Sequence, residues 1–206
     1  MNGYEHHQQV YPGEDYYWGL QPNELARKAL EFLPEDTGGR KSRAVDIGAG
    51  ERRDAVLFAA SGLETLAVDV APTGLRKAVR LASENDVDLQ VQRGDVNTFE
   101  LVGAWDLIYS IGTIQYLEPQ KRQRKFDHFR QHTSPGGLNA LFAFTDHHDV
   151  PPAPDWGDDE YLYAPGELLE HYSEWQCLYS RSFIFEDESV GIPHQHAAEE
   201  YIFQKL

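Results

Sequence analysis

The sequence is poor in cysteine and contains no long apolar run. Cys177 is its single cysteine, so no disulfide can form within the chain, and in the stretch SEWQCLYSRSFIF it is typical of a small strand residue rather than a nucleophile. No stretch of about 18 apolar residues occurs, which argues against a membrane-spanning helix. The opening MNGYEHHQQVYPGEDYYW lacks the charged-then-apolar order of a signal peptide. We therefore expect a soluble, cytoplasmic protein without a membrane partner.

Positive charge is also scarce. The 206 residues include 34 acidic and 18 basic side chains, and the formal net charge is -16. A surface this negative repels phosphate backbones, which argues against nucleic acid as a partner. The basic run KRQRKF at 121–126 lies on a predicted helix and is interpreted as a solvated helix face. An acid-rich, lysine-poor composition is also typical of proteins that work at high salt, so a halophilic source is a hypothesis that salt-dependent stability would test.

Strands alternate with helices over most of the chain. Alternation of this kind predicts an α/β fold, a doubly wound and mainly parallel sheet in a single domain over residues 1–206. From residue 145 the pattern changes to a proline-rich acidic loop, a short helix and two long strands, which predict a C-terminal antiparallel β-hairpin and seven strands in all. The first five predicted strands cover 43–48, 64–70, 88–95, 104–111 and 137–144.

The stretch VDIGAGERRDAVLFAASGLETLAVD joins a strand to a helix through Gly48 and Gly50. Bare backbone at a helix N-terminus favours a negatively charged or nucleotide-like ligand. The dinucleotide fingerprint has a third glycine at the position of Arg53, so a nicotinamide oxidoreductase is disfavoured. Asp69 and Asp95 end the second and third strands at the edge where open α/β sheets bind ligands, and Asp69 is suited to ribose hydroxyls. These residues predict one nucleoside-sized site, although a solvated turn is the alternative for each carboxylate.

The ordered motifs VDIGAG, Asp69, GDV and WDLIYSIGTIQYL resemble those of class I S-adenosylmethionine-dependent methyltransferases over residues 43–145. The final hairpin resembles the reversed last strand of that Rossmann-like fold. The stretches GERRDAVLFAASG, YWGLQPNELA and GELLEHYSEW are similar to the tellurite-resistance (TehB-type) group, in which an Arg-Asn or Arg-Asp pair follows the glycine turn. Arg53 and Asp54 match this pair, whereas Arg52 stands where the wider family often has a glycine.

This resemblance implies S-adenosylmethionine as the cofactor and S-adenosylhomocysteine as the product. It also implies an N-terminal lid and covering helix over 1–36 and an acceptor-side loop with a short helix over 146–173. The implied cofactor-binding residues are Asp46, Gly48 and Gly50 for the methionine moiety, Asp69 for the ribose, Asp95 for the adenine amino group with Val96 against the ring, Ser110 with Ile111 as the floor, and in addition Ala49, Arg53, Val70 and Gly94.

Candidate catalytic residues lie outside the glycine turn. Tyr116 follows the fourth strand, where this fold usually contacts its substrate, and ordinary packing is the alternative. His194 and His196 lie in the predicted hairpin loop, near the place where TehB-type relatives are suspected to contact the acceptor. In an extended segment both rings would point to one side, as in a metal or oxyanion clamp. No cysteine accompanies the nine histidines and no metal-ligand spacing emerges, so we expect no metal.

The aromatic leader raises a separate question. Tyr16, Tyr17 and Trp18 either close over the cofactor and face its sulfonium or pin the covering helix by packing. The sequence leaves both alternatives open.

The expected function is S-adenosylmethionine-dependent methyl transfer to a small-molecule acceptor, either a chalcogen oxyanion such as tellurite or selenite, or a thiol. The alternatives are a metabolite or natural-product O-, N- or C-methyltransferase and a non-catalytic S-adenosylmethionine-binding protein. An amino-methylating DNA enzyme would carry an Asn/Asp-Pro-Pro-Tyr/Phe motif where this chain has SIGT, and an aminopropyltransferase would carry an acid there. We expect a monomer or a homodimer.

Overall fold

The computed structural model describes residues 16–17, 19–34, 39–51, 53–154, 156–188 and 191–206. Helices and strands alternate within them as expected. The helices are α1 (Glu24–Phe32), α2 (Arg53–Ala60), α3 (Pro72–Glu84), α4 (Arg122–Gln131) and α5 (Glu167–His171). The strands are β1 (Arg43–Ile47), β2 (Glu64–Asp69), β3 (Gln90–Arg93), β4 (Trp105–Ser110), β5 (Thr133–Phe144), β6 (Gln176–Asp187) and β7 (His194–Gln204). No helix in this described part of the chain is both long and apolar enough to cross a membrane.

The seven strands form one mixed sheet in the order β3-β2-β1-β4-β5-β7-β6. The first five strands are parallel, and β7 runs antiparallel to both β5 and β6. The central strands β1 and β4 are buried along almost their whole length, because both of their faces are covered. The predicted doubly wound fold with a terminal antiparallel hairpin is therefore confirmed.

Two strands begin earlier than the sequence predicts. β5 starts at Thr133 rather than at residue 137, because backbone bonds between Gly136, Gly137 and Lys205 extend its pairing. β7 starts at His194, which pairs with Asp187 across the hairpin. The placement of His194 and His196 in the hairpin loop was wrong, and both residues lie in the ladder.

Side chains alternate along each strand and so sort into two cores. One face of the sheet packs against α1 and α2, where Leu25, Ala26 and Phe58 are fully buried. The other face packs against α4 and α5 through Phe126 and Leu168. Each face buries a different set of strand residues, so the helices of the first half and of the second half cover opposite sides.

Cys177 lies in β6, as expected. Burial raises the pKa of its thiol, and its Sγ contacts the Tyr179 carbonyl oxygen. A raised pKa lowers the thiolate fraction, which agrees with a structural role.

Candidate functional site

A cavity of about 870 Å³ opens at the carboxyl ends of the parallel strands. Most of the predicted site residues lie on its wall, which is where open α/β sheets bind ligands. The predicted residues on the wall are Asp46, Gly48, Ala49, Gly50, Arg53, Asp69, Val70, Gly94, Asp95, Val96, Ile111, Tyr116 and His196. Ser110 and His194 are absent from this set.

The glycine turn is held in place by backbone bonds and by Asp69. Gly48 has φ +78° and its N–H donates to the Val68 carbonyl at 2.8 Å. Gly50 has φ +53° and its N–H donates to Asp69 Oδ2 at 2.8 Å. Asp69 Oδ1 accepts a second backbone bond, from Ala71, at 2.7 Å. The Asp69 carboxylate therefore fixes the turn as well as facing the cavity.

Gly48 also has no room for a side chain. A Cβ added there would lie 1.6 Å from Thr113 Oγ1. Thr113 follows β4, and its hydroxyl donates to the Gly48 carbonyl at 3.2 Å. The turn after β1 and the segment after β4 are thus locked together at the floor of the cavity.

Ser110 lies beneath this floor rather than on it. Its side chain is fully buried, and its hydroxyl donates to the Ile47 carbonyl at 2.8 Å. The bond joins the ends of β1 and β4, and the cavity wall begins one residue later, at Ile111.

Asp95 and its neighbours line the same part of the cavity as the glycine turn. Asp95 Oδ1 accepts the Asn97 N–H at 2.8 Å, while Val96 is buried. The Asn97 amide donates to the Tyr116 carbonyl at 2.8 Å and accepts the Glu118 N–H at 3.0 Å. Asn97 therefore couples the turn after β3 to the segment after β4. Sequence reasoning missed it, although its place directly after the GDV motif was a signal.

The part of the cavity lined by the glycine turn, Asp69 and Asp95 has side chains that fit S-adenosylmethionine. The cofactor carries a positive sulfonium and an amino group, which the carboxylates of the wall attract, and Val96 and Ile111 offer apolar surface to an adenine ring. An ionised carboxylate has about four acceptor positions, so the two backbone bonds to Asp69 are compatible with acceptance from ribose hydroxyls. The bare backbone of the glycine turn leaves space for close approach.

Arg53 and Asp54 tie the N-terminal segment to the glycine turn. Arg53 Nη2 donates to Asn23 Oδ1 at 3.0 Å. Asp54 accepts the Asn23 N–H at 2.7 Å and the Tyr109 hydroxyl at 2.9 Å. Burial, followed by the Asp54 charge, raises the pKa of Tyr109, which keeps its phenol protonated as a donor. The Arg-Asp pair therefore anchors the start of α1, and Arg52 lies outside the described residues.

The two described residues of the aromatic leader lie in different places. Tyr16 packs against α3, with its ring 5.0 Å from the Arg80 guanidinium. Tyr17 lies on the cavity wall. Trp18 and residues 1–15 lie outside the described residues.

Five aromatic side chains, the aromatic wall, line the other half of the cavity: Phe142, Phe144, Trp156, Phe183 and Phe185. The phenylalanines lie in pairs on β5 and β6, the two strands that flank β7, and alternate residues of a strand point the same way. The Phe144 ring packs edge-on to Trp156, with centroids 5.5 Å apart. The sequence did not indicate that Phe183 and Phe185 line the cavity, because their facing depends on the register of β6 against β7, which no local pattern specifies.

Trp156 comes from the loop between β5 and α5. This loop is anchored on the segment after β4, since the Tyr161 N–H donates to the Gln115 carbonyl at 2.8 Å and the Tyr163 hydroxyl donates to the Ile114 carbonyl at 2.9 Å. The buried Arg122 donates to the Tyr161 carbonyl and pairs with Glu167. The predicted acceptor-side loop thus forms a fixed part of the wall.

Carboxylates accompany the aromatic wall. Asp159, Glu160, Asp187 and Glu200 all line the cavity, whereas Arg53 and His196 are the basic side chains among the described lining residues. Burial raises the pKa of Glu200 despite the opposing effect of Arg181. A carboxyl with a raised pKa on a cavity wall is a candidate general base. Sequence reasoning missed Glu200, which shares the β7 face of His196.

The two predicted histidines contact each other. His196 is 7% exposed, and its Nε2 lies 3.0 Å from His194 Nε2 and 3.5 Å from Asp187 Oδ2. The His147 and His148 rings stack at 4.6 Å at the start of the acceptor-side loop. His194 stands behind His196, so only His196 of this pair is on the wall.

Comparison with known proteins agrees with this geometry. The family model described as "Tellurite resistance protein TehB" matches residues 37–199. The chain is 23% identical over 157 residues to hemagglutinin 1 of Eikenella corrodens, covering 76% of this chain and 49% of that protein. It is 22% identical over 137 residues to a probable S-adenosyl-L-methionine-dependent methyltransferase TehB of Haemophilus influenzae, covering 66% and 46%. The chain thus spans about half the length of the curated relatives that it matches.

The fold is also similar to a solved structure. The crystal structure of TehB from Haemophilus influenzae superposes with a TM-score of 0.77 at 18% identity, covering 98% of this chain and 67% of that one. The comparisons confirm the predicted family and S-adenosylmethionine as its cofactor. The family model covers most of the sequence, and the chain belongs to the TehB family of class I S-adenosylmethionine-dependent methyltransferases.

Proposed function

We propose that this domain transfers a methyl group from S-adenosylmethionine to a small-molecule acceptor inside the cavity. One observation carries the proposal: a single cavity runs from the glycine turn and Asp69 to the aromatic wall. Methyl transfer is an in-line displacement at a carbon that the sulfonium already activates. The protein must mainly hold donor and acceptor in line, and positioning of this kind contributes on the order of 7 to 11 kcal/mol.

For the cofactor we propose the predicted roles of the wall residues. Asp69 binds the ribose hydroxyls, Asp95 and Val96 bind the adenine, and the turn at Gly48 and Gly50 lies against the methionine moiety. Support comes from the hydrogen bonds that hold Asp69 and Asp95 in place at the cavity wall.

Our first acceptor class is a chalcogen oxyanion or a thiol. The family description, which names tellurite resistance, supports this class. An oxyanion, or a thiol that binds as its thiolate, has no proton to lose in the site, so the site needs no dedicated base. Tyr116 and His196 are the polar groups of the predicted catalytic set that lie on the wall.

The second class is a metabolite that is methylated on O, N or C and carries an aromatic or apolar body. The aromatic wall favours this class, because five such rings exceed what a small oxyanion needs. The carboxylates beside it favour a neutral or cationic acceptor. Glu200, whose pKa burial raises, would accept the proton that an amine or phenol must lose.

The experiment is a measurement of S-adenosylhomocysteine formation with tellurite, selenite, small thiols, phenols and aromatic amines. Asp69→Asn is the cofactor-end variant and Phe185→Ala the acceptor-end variant, with the exposed Val102→Ala as a matched control. We expect Asp69→Asn to weaken cofactor binding for every acceptor, Phe185→Ala to raise KM for aromatic acceptors only, and Val102→Ala to change neither. Cofactor binding without turnover on any acceptor would indicate a non-catalytic S-adenosylmethionine-binding protein.

A further inference from the structure

We propose that Asp187, His194 and His196 form a binding site for one divalent transition-metal ion at the acceptor end of the cavity. The three side chains meet where β6 and β7 pair next to the hairpin turn. One oxygen or ring nitrogen from each lies within 4.8 Å of the others.

Two of the three spacings between ligand atoms are close to those of a tetrahedral metal site. Metal–nitrogen bonds of about 2.0 to 2.1 Å at tetrahedral angles put neighbouring ligand atoms roughly 3.3 Å apart. His194 Nε2 lies 3.0 Å from His196 Nε2, and His196 Nε2 lies 3.5 Å from Asp187 Oδ2. The third pair of ligand atoms lies within 4.8 Å, so side-chain movements alone would bring all three ligands to one ion.

The hydrogen bonding of His194 prepares its ring for a metal. His194 Nδ1 lies 2.7 Å from the Ile192 carbonyl oxygen, which can only accept. Nδ1 must then carry the proton, and in the neutral ring Nε2 presents a lone pair toward His196 and Asp187. A histidine oriented by a backbone carbonyl through its second nitrogen is the usual arrangement at metal centres.

Three protein ligands leave one tetrahedral position for another molecule, as in catalytic rather than structural sites. Asp187 and His196 line the cavity, so the ion would lie at its wall beside the Phe144 ring, whose centroid is 4.9 Å from that of His196. Imidazole and carboxylate ligands together suit Zn²⁺, Co²⁺ and Ni²⁺.

The site also bears on the choice of acceptor, and this consequence rests on the proposed function. The acceptor end carries Asp159, Glu160 and Glu200, which repel an anion. A bound divalent ion would offset this charge and coordinate the sulfur of a thiolate or the oxygen of an oxyanion. We therefore expect anionic acceptors to be methylated only by the metal-loaded enzyme.

The test is titration of chelator-treated protein, purified without a polyhistidine tag, with Co²⁺ followed by visible absorption, together with Zn²⁺ retention after dialysis. We expect about one equivalent of tightly held metal in the parent protein. His194→Ala and Asp187→Asn should weaken binding at least tenfold, whereas His147→Ala/His148→Ala, in the stacked histidine pair of the acceptor-side loop, should retain it. S-adenosylhomocysteine binding by each variant reports that it is folded.

Two results would overturn the proposal: no metal retained by the parent protein, or equal retention by His194→Ala/Asp187→Asn. Assaying the acceptor panel with and without Zn²⁺ separates this proposal from the function. If the protein binds metal but methylates no acceptor, the metal site stands and the proposed methyltransferase function is refuted. If the metal-free protein methylates thiols and oxyanions, the proposed function stands and the role of the metal in acceptor binding is refuted.

Discussion

Gly48→Ala is the substitution whose cost can be worked out most directly from the structure. The left-handed backbone at this position costs an alanine about 1 to 2 kcal/mol. The new Cβ would also lie 1.6 Å from Thr113 Oγ1, and forcing extra atoms into a packed site costs roughly 1 to 3 kcal/mol more. The sum of about 2 to 5 kcal/mol is a large part of the roughly 5 to 15 kcal/mol by which a domain is stable.

Gly62→Ala is the matched control. Gly62 has φ +89° and nothing within 4 Å of an added Cβ, so it isolates the backbone cost of about 1 to 2 kcal/mol. Urea unfolding of both variants gives the free energies, and titration with S-adenosylhomocysteine gives the cofactor affinity. We expect Gly48→Ala to lose more stability than Gly62→Ala and alone to lose affinity, and Thr113→Gly to restore part of the stability. Equal losses for the two alanine variants would refute the argument that Thr113 fills the space beside the turn.

Three further predictions concern single side chains. Tyr109→Phe removes a buried hydrogen bond to the Asp54 carboxylate and should cost about 1.5 to 3 kcal/mol in urea unfolding, so an unchanged midpoint would contradict the anchoring role. Burial raises the pKa of Asp106, but hydrogen bonds from Arg40 and a backbone N–H outweigh it, so the folded-state pKa lies below the ordinary 3.8. This stabilisation is present above pH 3.8 and is lost as the pH falls through the lower folded value, so Asp106→Asn should flatten the acid dependence of the free energy of unfolding. Glu200→Gln should lower turnover of phenols or amines by about 10²- to 10⁴-fold and leave thiolates unaffected, and an equal loss for both classes would exclude a base role.

That the proposed cofactor residues lie on one cavity wall was predictable, because they follow strands directly. Gly48, Asp69 and Asp95 each lie at or just after the end of a parallel strand, and parallel order brings such ends to one edge. Arg53, which was assigned to the cofactor, lies on the cavity wall and also donates to Asn23, thirty residues earlier in the chain. No local pattern indicates a bond of that kind.

The acceptor half depends on strand register, which the sequence did not specify. Phe185 faces His196 because the hairpin pairs these two residues, and a shift of one residue would turn every side chain of β6 to the other face. The same register brings Asp187 to His194. The spacing of His194 and His196 within β7 therefore gave no sign of a third metal ligand, because Asp187 comes from the neighbouring strand β6.

The cavity draws its two halves from different parts of the polypeptide. The groups facing the predicted cofactor come from residues 46–118, and the aromatic wall comes from residues 142–185. Substitutions in the later part can therefore change which molecule is accepted while the donor end keeps its residues. On the proposed function, exchanging the segment from the end of β5 through the acceptor-side loop to β6 between family members is a direct route to new acceptor specificity.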